Sequence, residues 1–207
     1  MSSRTIIYET IRQSTLEALA ADPEIELDVT ALDLGRLPVE VKAGLYSSAV
    51  IFEALYLRKS ADIHAPRATR LSAPELRKAG HITACHADTF EIPKLQFAGN
   101  IHATSAVNFV ARELVSAGDI DAFAAKNFEA QSLRTAGYIN AYFTKCFRAL
   151  QLRDCKMLRV PSLNIFVAPE LATASIVDAC SATWVIAPLL APKLIFAPEA
   201  GYNPRLA

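Results

Sequence analysis

Alanine recurs throughout this chain of 207 residues, whereas glycine appears only 7 times. Alanine gives up no side-chain entropy in a helix, and glycine is the residue that tight turns and phosphate-cradling loops require. The imbalance predicts helix and argues against a glycine-rich nucleotide loop. Neither GxGxxG nor GxxxxGK(S/T) occurs. With 52% apolar and 20% charged residues, the chain is also too apolar for disorder. Such a composition implies either a large buried core or apolar surface covered by a partner.

The local patterns read as a single globular domain over 1–207, α+β or α/β and helix-dominated, with about six helices and a few short strands. Residues 5–21 place Ile7, Ile11, Leu16 and Leu19 near one helical face, and Asp22-Pro23 ends that helix. ELDVTALDL (26–34) alternates like a half-buried strand bounded by Gly35 and Pro38. A second helix is expected over 39–59. Ser72-Ala-Pro-Glu75 has the form of a capping box with proline in the first turn, so a short helix ending near Gly80 should follow. Residues 81–92 are ambiguous between helix and strand. Helices are expected over 103–117, 119–150 and 171–186, a strand over 157–167 broken by Pro161, and a final apolar segment at 193–197. No internal repeat and no linker is expected.

The opening MSSRTIIYETIRQ lacks the apolar run of a secretory signal. The longest uncharged stretch, Ala179 to Pro192, is shorter than the ~20 residues a membrane span needs and contains two prolines. A soluble, cytoplasmic protein is therefore expected. Cys85, Cys146, Cys155 and Cys180 show no CxxC pairing and read as reduced, buried thiols.

Charge is blocked along the chain although it sums to zero. Residues 9–53 carry nine acids against three bases; 58–81 are basic; 88–129 carry six acids against three bases. Residues 134–159 then hold Arg134, Lys145, Arg148, Arg153, Lys156 and Arg159 against Asp154 alone, accompanied by Tyr138, Tyr142, Phe143 and Phe147. Three arrangements fit: acidic and basic segments facing each other within the fold, head-to-tail self-association, or a groove for RNA or phosphate. In the last, arginines would meet phosphates while aromatics such as Tyr142 stack on bases. The neutral total opposes a strong free nucleic-acid binder.

His81 and Cys85 are four apart, with His86 adjacent. On a helix or a strand the first two share a face, a spacing open to metal ligands or a reactive thiol, although zinc needs three or four ligands. No GxSxG is present, and the Asp119/Asp121 and Glu24/Glu26 pairs suit a helix N-terminus and an exposed strand face.

Two stretches resemble flavoproteins. SSRTIIYETIRQSTLEALAADPEIELDVTALDLGRLP (2–38) resembles the opening of flavodoxin-like FMN reductases and azoreductases, without the glycine of their phosphate loop. APELATASIVDA with FAPEAGYNPR (168–205) resembles the central segment of flavin-dependent cysteine decarboxylases. Each covers less than a fifth of the chain and the two imply incompatible strand orders, so no family is assigned. The expectation is a self-associating structural or assembly protein with complementary acidic and basic faces, a homo-oligomer that could coat RNA. The alternative is a small enzyme, either FMN-dependent or using His81/Cys85/His86.

Overall fold

Ile63, Ile82, Ile101, Ile120, Ile139, Leu158 and Val177 recur every 19 residues. In the computed structural model each is at most 1% exposed and lies beside the next across parallel strands. The chain winds as a parallel β-solenoid in which every coil rests on the one before. The structure describes residues 3–163, 165–182, 184–187, 189 and 195–196.

One side of the coil is an eleven-stranded sheet. Its strands are Ser3–Ile6, Ile25–Asp28, Gly44–Tyr46, Ile63–His64, Ile82–Thr83, Ile101–His102, Ile120–Asp121, Thr135–Asn140, Asp154–Arg159, Thr173–Asp178 and Ile195–Phe196. A second side is a six-stranded sheet running from Ile51–Glu53 through Arg70–Ser72, Thr89–Glu91, Asn108–Val110 and Asn127–Glu129 to Cys146–Arg148. Ile165–Val167 pairs separately with Trp184–Ile186. Along a third side, single bridges link Glu40, Lys59, Lys78, Phe97, Ser116 and Thr135 in file.

Adjacent coils lie about 4.8 Å apart, so each inward position becomes a column filled by the same kind of residue. The inward pattern is I-x-A-x-x-A-x-x-F-x-A-x-x-L-x-x-A. Phe90, Phe109 and Phe128 stack face to face at 4.8 and 4.7 Å with rings 2–3° from parallel, and Phe147 continues the stack at 4.9 Å. Leu76, Leu95, Leu114, Leu133, Leu152 and Leu171 form a second fully buried column. Alanine fills the corners, where the walls converge: Ala65, Ala84, Ala103, Ala122 and Ala141 are fully buried. Polar atoms enter the alanine columns at Ser47, Ser60, Thr144 and Cys155; the Ser60 hydroxyl has no partner, whereas Thr144 and Cys155 find carbonyls. The Thr144 hydroxyl lies 3.1 Å from the Cys146 carbonyl, and the Cys155 thiol 3.1 Å from that of Met157.

The motif Ala-Gly-x-Ile, at Ala79, Ala98, Ala117 and Ala136, marks one corner. There, on four successive coils, the residue before the inward isoleucine uses its side chain to accept the backbone N–H of its counterpart one coil on. Asp62 accepts from His81, His81 Nδ1 from Asn100, Asn100 from Asp119, and Asp119 from Tyr138, at 2.7–2.9 Å. Glycine is needed because these acceptors crowd the backbone: a Cβ on Gly118 would lie 2.3 Å from Asn100 Oδ1. His81 accepts only as a neutral ring with Nδ1 unprotonated.

The helix-dominated fold is overturned. Among the described residues the one α-helix is Gln13–Ala20. It joins the parallel strands Ser3–Ile6 and Ile25–Asp28 and packs Leu16 and Ala20 inward, and this strand–helix–strand unit runs directly into the eleven-stranded sheet. The expected helices 39–59, 103–117, 119–150 and 171–186 are instead runs of short strands and turns. Ser72 ends a strand rather than capping a helix, and Lys94, not the backbone, takes the Glu75 carboxylate at 2.7 Å. That hydrogen bond holds the Glu75 carboxyl below its ordinary range. The repeat that the sequence reading denied is the organising feature. The strand expected over 26–34 is realised only as Ile25–Asp28, and that expected over 157–167 as the separate strands Asp154–Arg159 and Ile165–Val167, with Pro161 between them. Of the apolar segment 193–197, only Ile195–Phe196 lies within the described residues.

All four cysteines are free thiols, with Cys155 buried and the other three half-buried. Burial pushes the Cys155 thiol up to about 12 from an ordinary 9.0. Below about pH 9 both folded and unfolded chains keep this proton; between there and about 12 only the unfolded chain ionises, and the fold loses stability. We expect a disulfide-exchange reagent at pH 8 to titrate Cys85, Cys146 and Cys180 in the native chain. Cys155 should react only in denaturant.

Candidate functional site

The solenoid converts blocks along the sequence into bands around its axis. Arg134 and Arg153 stack one coil apart beside the file of bridges, Lys145 and Arg148 lie at the six-stranded sheet, and Lys156 and Arg159 share a strand of the eleven-stranded sheet, so the six ring the molecule instead of lining one groove. Several are already engaged: Arg148 faces Glu129 at 3.6 Å, Arg153 faces Glu170 at 2.9 Å, and Arg159 faces Asp178 at 3.4 Å. The remaining ion pairs found among the described residues also join neighbouring coils: Arg4–Glu26, Lys59–Glu40, Arg70–Glu91, Lys94–Glu75 and Arg112–Glu129. Acidic and basic blocks thus meet within the fold.

His81, Cys85 and His86 occupy separate places on one coil. His81 Nδ1 accepts from the Asn100 backbone, and His86 Nδ1 lies 2.6 Å from the Pro66 carbonyl. Among the described residues no group of three or more His, Cys, Asp or Glu is placed to hold a metal.

One corner differs from the rest. Where other coils carry Pro66, Cys85, Thr104, Pro161 and Cys180, two successive coils carry Phe123 and Tyr142, with Phe143 alongside. Phe123 stacks on Tyr142 at 5.3 Å and meets Phe143 edge-on at 5.0 Å; Phe123 and Phe143 are 39% and 48% exposed. The Arg159 guanidinium lies 5.3 Å from the Tyr142 ring centre, within cation–π range. The Tyr138 hydroxyl, then Asp178, favour its charged form. Beside this corner the sheet aligns Asp121, Asn140, Arg159 and Asp178 in register. Asn140 Nδ2 donates to Asp121 Oδ1 at 3.0 Å. Asn140 Oδ1, in a residue only 9% exposed, has no donor. Of the residues expected from sequence, Tyr142 and Arg159 come together here; Phe123, Asp121 and Asn140 were not anticipated.

A second unusual place is the start of the six-stranded sheet. Ile51–Glu53 pairs with Arg70–Ser72 and, among the described residues, with no strand on its other side. The preceding coil contributes no strand to this sheet and carries the 3-10 turn Leu34–Arg36 instead. Val50, Ile51, Leu55 and Tyr56 around this edge are 43–62% exposed.

These columns and ladders define a parallel β-solenoid built of 19-residue coils. No protein-family model, curated protein or solved structure matches the chain. No helix among the described residues is long and apolar enough to cross a membrane.

Proposed function

We propose that this chain is a structural protein that self-associates through the open edge of its six-stranded sheet. The observation that carries the reading is the strand Ile51–Glu53, paired on one side only among the described residues, with exposed Val50, Ile51, Leu55 and Tyr56 around it. An unpaired edge presents backbone donors and acceptors that another strand completes, and apolar side chains beside it add the burial that makes pairing stable. A second copy is the occupant that fits best. Two such edges related by a two-fold axis pair antiparallel about Phe52, which sets Ile51 of each copy opposite Glu53 of the other and is self-complementary. Four free thiols agree with a reducing, cytoplasmic setting.

Light scattering coupled to size exclusion at micromolar concentration tests this. The expected result is a homo-oligomer that Ile51→Lys with Leu55→Lys weakens by about tenfold or more, with the thermal midpoint of the monomer retained. A wild-type chain that elutes as a monomer, or an oligomer indifferent to both lysines, overturns it. Nucleic acid co-purifying with the oligomer, seen by absorbance at 260 nm, would extend the reading to RNA coating; the encircling placement of the basic residues gives that extension no groove.

A further inference from the structure

We propose that the aromatic corner formed by Phe123, Tyr142 and Phe143, with Asp121, Asn140 and Arg159 beside it, binds a neutral saccharide. Three observations carry this independently of self-association. First, the aromatic rings replace small or polar residues at this corner on only two adjacent coils, and two of the three rings are substantially exposed. A column that tolerates proline, cysteine and threonine has no packing need for exposed rings, and exposing them costs free energy. A flat ligand face recovers it. The C–H face of a pyranose ring suits such a platform because its polarised hydrogens meet the electron-rich face of the ring.

Second, the polar groups beside the platform are those that hydroxyls need. Asp121 offers a carboxylate, Arg159 a fork of donors, and Asn140 an amide oxygen. That oxygen is the telling one. It is buried without a donor, as Ser60 Oγ and Gln131 Oε1 also are, and it lies in the ladder beside the exposed rings; native proteins rarely leave such an atom unanswered. Arg159 is the long side chain next to it in register; its side chain is 43% exposed, and it turns by leaving the Tyr142 ring and its 3.4 Å contact with Asp178. A ligand hydroxyl arriving as Arg159 turns supplies the missing donor.

Third, the charge is wrong for a phosphate backbone. Asp121 and Asp178 flank the strand side of the corner against one guanidinium already paired with Asp178. Lys126 and Lys145 lie beyond it, past buried Ala125 and Thr144. A phosphodiester stacked on Tyr142 would approach the Asp121 carboxylate, whereas an uncharged polyol takes both as acceptors.

The test is a glycan microarray probed with the wild-type chain, with Phe123→Ala/Phe143→Ala, and with Asn140→Ala. A uridine oligonucleotide titrated across salt concentrations runs beside it. Both phenylalanines are exposed, so the double variant keeps its fold, verified by its unchanged melting temperature. We expect one class of neutral glycan to be retained by the wild type, with affinity reduced about tenfold or more in the double variant and measurably in Asn140→Ala. Retention of the same glycan by the double variant overturns the proposal, as does an array on which no neutral glycan binds. Salt-sensitive binding of the oligonucleotide that the double variant abolishes would assign the corner to nucleic acid instead.

Discussion

Truncating Phe109 to alanine should destabilise the chain by about 3–5 kcal/mol, near the top of the range for a buried aromatic. Phe109 is fully buried, with Phe90 on one side and Phe128 on the other, both rings within 4.8 Å and nearly parallel. A cavity in an ordinary core shrinks as neighbours lean in. Here each neighbour is pinned by a parallel ladder, with Phe109 in register with both Phe90 and Phe128. The flanking rings are therefore held about two coil spacings apart, and the void stays open. Two interfaces also fail together, because each coil of a solenoid is stabilised chiefly by the coils on either side. Urea denaturation reads the effect as a lowered midpoint with little change in slope. Phe97 is the control: it belongs to the same coil system but is 48% exposed, so Phe97→Ala should fall within about 0.5 kcal/mol of wild type. Equal losses at the two positions would contradict the stacked column.

The reason this column was illegible lies in its spacing. Inward residues along one coil, such as Ile101, Ala103, Ala106, Phe109, Ala111, Leu114 and Ala117, are two or three apart. Steps of three imitate the i, i+3 contacts of a helix, and the alanines that fill narrow corners imitate helix formers. Strand-like alternation lasts for only three residues on most sides of the coil, as in Asn108–Val110. The signal that survives is long-range: four Ala-Gly-x-Ile motifs and the Phe90, Phe109, Phe128, Phe147, Phe166 series share one 19-residue period. Asp154–Arg159 was legible only from Met157 onward; its inward Cys155 and Leu158 are three apart, the same helix-like step.

The candidate site was half legible for the same reason. Tyr142 and Arg159 stood out within one basic block, and they do meet. Phe123 and Asp121 lay in what looked like a different, acidic block, yet one coil brings them beside Tyr142 and Asn140. Complementary charge was expected between whole faces; it is realised between neighbouring coils, as in Glu129, which takes both Arg112 and Arg148.

Excising one whole coil should leave the fold standing, whereas excising half a coil should destroy it. Removal of residues 101–119 joins Asn100 to Ile120. Ile82 then faces Ile120, Phe90 faces Phe128, Leu95 faces Leu133, and Asn100 Oδ1 meets the Tyr138 N–H that Asp119 now takes. Every column is restored with residues already at home in it, and the only ion pair broken among those of Glu129 is that with Arg112. The shortened chain should keep a β-type circular dichroism spectrum and one cooperative urea transition. Its slope should fall by roughly a tenth, in proportion to the buried surface removed. Removal of residues 101–109 has the opposite outcome although it takes away fewer residues. It turns Arg112 and Lys126 into inward columns that hold alanine in the intact chain, and a buried unpaired cation costs more than any single coil contributes. That variant should show no cooperative transition. If it folds and the whole-coil variant does not, the 19-residue register is not what specifies this structure. The contrast is decisive because length, composition and local propensity all favour the nine-residue deletion, and only the coil period favours the other.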